Sequence, residues 1–538
     1  MRDFRRRLFR TVVLGLLVSL CATLWSVADA TQIGREVAIQ KHLADGEEYT
    51  MPLADLLEYG KRLFNANWTI QEGAGRPRAK GSGVKIADPT RPLVFPRNFN
   101  RISGPDANSC AGCHNSPFGI PGGNGDIVAN VFVLGQRFDF ATFDPSDQVK
   151  TAGSRDERGK LIDINSIANN RASPGMFGAG YLEMLARQMT ADLQAIRDTI
   201  RPSESRALVS KGISFGTLTR LANGDWDISK IEGLPYPSTY SDYGHTPPTL
   251  IVRPWHQAGA VISLRHFTNT ALNHHHGIQS SERFGVDARQ NVAEHFRPDA
   301  DDGDGAAKLS RADITALTLY QAAMAVPGRV IPRDPEVEAA VQVGERVFTQ
   351  IGCATCHVPE LPLDHDGWLY SEPSPYNVFG NLRMGDIQTF VLNLNRPDLP
   401  QPRLQAHNGI TMVPAFTDMK LHDITSGPDD PNREPLDMQR AKFTELTFAI
   451  NEFFGGNGKF MTRRLWGAAS KPNFYHHGKF TTMREAVLAH AGEAQATTDR
   501  FKALTEYEKD ALIEFLKTLQ VLPPGTESLI VDENFRPR

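Results

Sequence analysis

Apolar side chains recur at three- and four-residue steps in several stretches of the chain, and that spacing predicts amphipathic helices. The first stretch runs from Glu36 to Asn67, with Leu53, Leu56, Leu57, Leu63 and Phe64 on one face. A second covers Gly180 to Ile200 through Leu182, Met184, Leu185, Met189, Leu193 and Ile196, where the methionines read as core filler. A third begins at Ser310, and a fourth spans Glu336 to Gln350 with Gly344, Val347 and Phe348. The last runs from Thr505 to Leu519: Thr505 and Glu508 form a capping box, and Leu512, Phe515, Leu516 and Leu519 form the buried stripe. Strand-like runs are short, Ile213 to Leu218 and Thr249 to Val252, among the proline-rich turns of residues 201–262. The pattern predicts a mainly α chain with a small irregular or β insertion in its N-terminal half. Pro332 to Pro335 reads as the linker between the halves.

The N-terminus changes the picture of where the chain works. Arg2, Arg5, Arg6, Arg7 and Arg10 precede an apolar run from Thr11 to Trp25 and then Ala28-Asp29-Ala30. This is the pattern of a secretory signal peptide over residues 1–30, and it predicts export to the periplasm. The apolar run is short for a membrane span, and no other stretch is long enough for one, so an integral membrane protein is not expected. With 538 residues, two or three domains with real cores are expected. The organisation read from these signals is residues 31–335, residues 336–522 and a tail of residues 523–538. The net charge is −4, and removing residues 1–30 takes away five arginines and two aspartates. The remaining acidic balance argues against nucleic acid and anionic membrane surfaces as partners.

Cysteine usage carries the chemistry. Of five cysteines, one lies in the signal, and the other four form two copies of one pattern: Cys110-Ala111-Gly112-Cys113-His114 and Cys353-Ala354-Thr355-Cys356-His357. C-x-x-C-H is the attachment pattern of a c-type haem. Two thiols three positions apart can bond the two vinyl groups of one porphyrin, and the adjacent imidazole can then reach the iron. Two covalently bound c-type haems are therefore expected, with no cysteine left for a structural disulfide. A four-thiolate zinc site usually draws its pairs from closer in sequence, and a thioredoxin-like disulfide needs only one pair.

Other segments leave alternatives open. The run from Arg265-His266 to His274-His275-His276-Gly277 packs four imidazoles, as a haem-pocket wall, a zinc site or a plain surface loop could. Asp299, Asp301, Asp302 and Asp304 with Gly303 and Gly305 resemble a calcium loop. However, Ala300 occupies its first ligand position and no Glu closes it, so a solvated acidic turn fits as well.

Several motifs resemble one family. Leu465-Trp466-Gly467, Phe474-Tyr475-His476-His477-Gly478-Lys479 and Thr482 through His490 follow the order of the bacterial dihaem cytochrome c peroxidases. Within that superfamily they are similar to the dihaem, thiol-oxidoreductase-like branch. Arg171-Ala172-Ser173-Pro174 and Phe177 through Glu183 carry a weaker likeness in the N-terminal half. The resemblance implies two cytochrome c-like haem domains. The haem on His114 would reduce hydrogen peroxide, and the haem on His357 would relay electrons from a small redox protein or a quinol-linked source. In the family a Met twelve residues beyond the Gly of an H-D-G motif caps the second haem. Here that count from Gly478 reaches His490, which implies bis-His ligation by His357 and His490 and a lowered potential. Counting from Gly277 to the family's distal acid reaches His295, beside Glu294, and either could move the peroxide proton. Trp255 is the candidate for the aromatic between the haems, against a plain core role. Two other functions fit the motifs: an electron carrier in which a His from residues 266–295 caps the first haem, and an oxidase acting on a partner protein or small molecule.

Overall fold

The helix pair framing the second cysteine motif follows directly from its sequence. Asp334 caps the first of the pair by accepting from the amides of Glu336 and Val337, with Pro335 at the first helical position, where its missing N–H costs nothing. The predicted capping box of Thr505 and Glu508 starts the second. In the computed structural model, which describes residues 33–74, 107–125, 128–131, 169–284, 309–378, 381–434, 456–471 and 473–538, these two helices cross at Gly344. A Cβ there would lie 1.9 Å from the Ala511 carbonyl oxygen, so only glycine permits the approach. Val347, Phe348, Ile351, Leu512, Phe515 and Leu516 fill the crossing.

Among the described residues the helices are α1 (Leu53–Asn65), α2 (Cys110–Cys113), α3 (Ala179–Asp198), α4 (Tyr236–Thr239), α5 (Leu264–Ala271), α6 (Ser281–Phe284), α7 (Arg311–Ala322), α8 (Pro335–Gln350), α9 (Met483–Leu488), α10 (Gln495–Ala503) and α11 (Glu506–Thr518). The helical pattern from Glu36 shortens to α1, preceded by a 3₁₀ turn, Glu47–Tyr49. Helix α1 packs on α7 at Gly60, and α3 on the end of α7 at Gly180. Leu56, Leu63, Tyr181, Leu185, Met189, Ile314 and Leu317 make this the larger core.

The mainly α expectation is corrected: 34% of residues are helical and 17% are in strands, a mixed α/β composition. Strands are not confined to an N-terminal insertion. β1 (Val128–Val131) pairs with β2 (Asn169–Ala172), and β3 (Glu204–Ser210), β4 (Ile213–Arg220) and β5 (Trp226–Asp227) form an antiparallel sheet. Beyond β6 (Gly328–Val330), the C-terminal half holds β7 (Leu361–Leu363), β8 (Leu369–Glu372), β9 (Phe390–Asn393), β10 (Ala406–His407), β11 (Ile410–Val413), β12 (Leu421–Asp423) and β13 (Lys459–Met461). There β7, β10 and β11 share one sheet, β8 pairs with β9, and β12 with β13. β14 (Leu519–Gln520) and β15 (Ile530–Val531) flank β6. The cause of the miss is length: alternation over two to four residues cannot be told from a loop. Thr249 to Val252, read as β-like, forms no strand.

A buried ion network ties these layers together. Arg265 on α5 donates to Glu282 on α6 at 2.5 Å, to Glu372 on β8 at 3.0 Å and to Thr315 on α7 at 3.0 Å; all three charged side chains are fully buried. No described helix is long and apolar enough to cross a membrane.

Candidate haem sites

Each cysteine motif ends in an imidazole steered by a backbone carbonyl. Ser109 caps α2 by accepting from the Gly112 amide at 3.0 Å, and the chain then folds back so that Gly122 N–H donates to the His114 carbonyl. Gly123 makes that return possible, since a Cβ there would lie 2.2 Å from Ser116 O. His114 Nδ1 is 3.3 Å from Gly123 O. At the second motif His357 Nδ1 is 3.2 Å from Phe416 O, in a bend where Phe416 takes φ +55°. Donation from Nδ1–H fixes the tautomer and leaves each Nε2 with its lone pair, the arrangement a metal-bound imidazole needs. Burial lowers both pKa values to about 4, with the charges of His275 and Arg464 contributing at His114 and that of His490 at His357. Both rings are therefore neutral at pH 7.

His490 has the same geometry. It follows α9, its Nδ1 lies 2.6 Å from Ala486 O one turn back, and burial lowers its pKa. The ring of Tyr475 stands edge-on to it at 5.5 Å, with the Tyr475 hydroxyl between the Ile424 and Ala489 carbonyls at 3.3 and 3.4 Å.

The four cysteines are free thiols. Burial raises Cys110 and Cys353 to about 12, which keeps them as thiols. Cys110 Sγ lies 3.5 Å from His276 Nε2, whose Nδ1 donates to Ala107 O. Cys356 stands with Asp418 and His422 in a group compact enough for a metal ion. His422 is also 2.7 Å from Glu493 Oε2. Burial would lower its pKa, but the hydrogen bonds and charges of Asp418 and Cys356 raise it to about 11. An attached porphyrin would convert Cys356 to a thioether, a poor ligand for zinc, so these residues fit haem better than a second metal.

One cavity of about 440 Å³ touches both motifs and His490. The wall near His114 is polar. The π-helical turn Leu272–His276 brings His275 to it, while Arg171 Nη1 donates to His256 Nε2 at 2.6 Å and Arg171 Nη2 pairs with Glu434. Gln257 donates to the same Glu434 carboxylate at 2.8 Å. Arg463, Arg464 and Lys471 also line the cavity. No carboxylate among the described residues pairs with any of the three, so they fit a cofactor that carries carboxylates, as haem does in its propionates.

Of the residues singled out from sequence, the structure brings Cys110, Cys113, His114, Cys353, Cys356, His357, His490 and Trp255 to this cavity. Trp255 lies under Arg464, and its buried Nε1 has no hydrogen-bond partner among the described residues. Glu294, His295, the acidic loop Asp299 to Gly305 and residues 1–30 lie outside the described residues. Sequence reasoning missed Arg171 as a side-chain contributor, His256, Glu434 and the cations at 463, 464 and 471. Three uncommon residues within four positions, Arg463, Arg464 and Trp466, were the available signal.

Residues 387–519 match the family model described as "Di-haem oxidoreductase, putative peroxidase". No curated protein sequence matches the chain. Among solved structures, hydrazine synthase of Kuenenia stuttgartiensis, determined under xenon pressure, aligns at 15% identity over 46% of this chain and 72% of its own, with a TM-score of 0.22, too low to carry a fold across. The motifs and the family match agree: residues 387–519 of this chain are similar to the di-haem oxidoreductase family.

Proposed function

We propose that the protein is a periplasmic dihaem c-type oxidoreductase with peroxidase-like activity, using hydrogen peroxide and a small redox donor protein or quinol-linked electron source. The observation that carries this reading is an asymmetry. The imidazole of His357 is faced by a second, equally prepared imidazole, His490, whereas His114 faces a polar wall. Bound to these motifs, the haems would supply the redox chemistry, with peroxide reduced at the first and electrons relayed through the second. Cys110 and Cys113 would hold one porphyrin and Cys353 and Cys356 the other. His114 and His357 present neutral Nε2 atoms that would ligate the two irons, and His490 would supply a further ligand at the second site. Acid–base work on peroxide falls to Glu294 or His295 by the family count, and Arg171 and His256 line the described wall near His114.

One observation favours a second reading. His275 is close enough to His114 to lower its pKa, so it could close the first site too and leave an electron carrier. Optical and electron paramagnetic resonance spectra of the haem-loaded protein, before and after stoichiometric peroxide, separate the two. A high-spin ferric component that peroxide converts supports the peroxidase reading. Two low-spin haems inert to peroxide, even after one-electron reduction, would overturn it.

A further inference from the structure

The segment after β13 touches both sites. The Arg463 backbone lies against the His357 imidazole, and the next residue, Arg464, puts its charge beside His114. Arg464 Nη2 donates to Gly175 O, and its guanidinium lies 5.8 Å from the Trp255 ring centroid. Arg463 and Arg464 are half-buried and line the cavity, and Lys471, also on its wall, is buried. Three cations in one low-dielectric wall repel each other. Desolvation lowers Arg463 to about 10, and desolvation with the neighbouring Arg463 charge lowers Arg464 to about 9. Elsewhere in the described residues Arg265 has two carboxylates and Arg187 has Glu183, while Arg403 donates to the backbone carbonyls of Leu394, Ala323 and Met324. An uncompensated buried charge is strongly unfavourable, so an anion belongs here.

We propose that Arg463 and Arg464 form one cationic bridge between the two haems: Arg464 holds a propionate of the haem on His114, Arg463 a propionate of the haem on His357, and the dipeptide couples their reduction potentials. The inference rests on the dihaem reading above. A fixed cation beside a haem disfavours the ferric state, which carries one more positive charge, and so raises the potential. In a site of low dielectric the effect reaches the second haem only through charges near both, and adjacent residues supply them.

The test is a spectroelectrochemical titration of the haem-loaded wild type, Arg463→Met, Arg464→Met, Arg463→Lys and Arg464→Lys, with haem content measured on each. Arg464→Met is expected to lower the midpoint of the His114 haem by about tenfold in its equilibrium constant, about 59 mV for one electron, with a smaller shift at the His357 haem. Arg463→Met should give the mirror image, and the Lys variants should stay near wild type. Midpoints unchanged in both Met variants, or both variants moving the same haem, would overturn the bridge. If Met variants do not fold, the Lys variants carry the test through their salt dependence: a wild-type-like response supports the bridge, and no response overturns it. Fewer than two haems per wild-type chain would instead remove the dihaem reading itself, independently of the arginines.

Discussion

At the scale of single residues, an axial imidazole is recognisable by what its other nitrogen does. His114, His357 and His490 each give Nδ1 to a backbone carbonyl, and a carbonyl fixed in a turn or helix orients the ring without adding charge. Replacing His490 by Met exchanges imidazole for thioether on the same helix end. The expected outcome is a changed low-spin electron paramagnetic resonance signal and a higher midpoint for one haem only, measured by the same redox titration; an unchanged spectrum would remove His490 as a ligand. Tyr475→Phe is milder, because one shared hydroxyl contact is lost: about 1 kcal/mol of stability, read by denaturant melting, with the low-spin signal broadened as His490 loosens. The two C-x-x-C-H motifs stand out by spacing because haem attachment needs those residues at fixed intervals, His490 is what the family resemblance implies, and the structure brings all of them to one cavity. Arg171, His256 and Glu434 were not, since Arg171 meets them across 85 and 263 positions of chain and no local pattern encodes such a meeting.

Elements tell a similar story with a different cause. Capped helices could be read because caps and stripes are local: Ser310 and Thr505 each start a helix where the sequence indicated, and Asp334, read as linker, caps the helix expected from Glu336. The short strands were invisible because their pairing partners, not their own alternation, make them strands. Contacts between elements then set stability. Gly344→Ala would drive a Cβ into the Ala511 backbone of α11 rather than into a side chain that could move aside, so a loss of about 3 kcal/mol or more is expected in a thermal melt. Arg265→Met leaves Glu282 and Glu372 buried without a cation. About 3–5 kcal/mol should be lost, and a melting temperature equal to wild type would show the network to be dispensable.

For the whole molecule, buried histidines make stability depend on pH from both sides. Burial is the main cause holding His476 at about 3 and His477 at about 4, each below the ordinary value near 6.5. Below 6.5 the unfolded chain therefore binds protons that the folded chain refuses. The stability these two residues contribute is fully present above 6.5 and drains away as pH falls toward 4, at about 1.4 kcal/mol per pH unit for each. His422 works in the opposite sense. Burial lowers its pKa, but the hydrogen bond and charge of Asp418 raise it, so its contribution is full below 6.5 and is lost as pH rises above that value. His256, held well below its ordinary value by burial and the Arg171 charge, adds to the acid side, so stability should fall from pH 7 toward pH 5. Guanidinium titrations of the haem-loaded protein at pH 5, 6, 7, 8 and 9 would measure this, and His476→Gln should flatten the acid limb alone. A stability that rises from pH 7 to pH 5 would mean that the imidazoles beside Tyr475 are charged in the folded state. In that case His476 could not keep its stack on Phe460 and its bond to the Asn432 carbonyl in the present form.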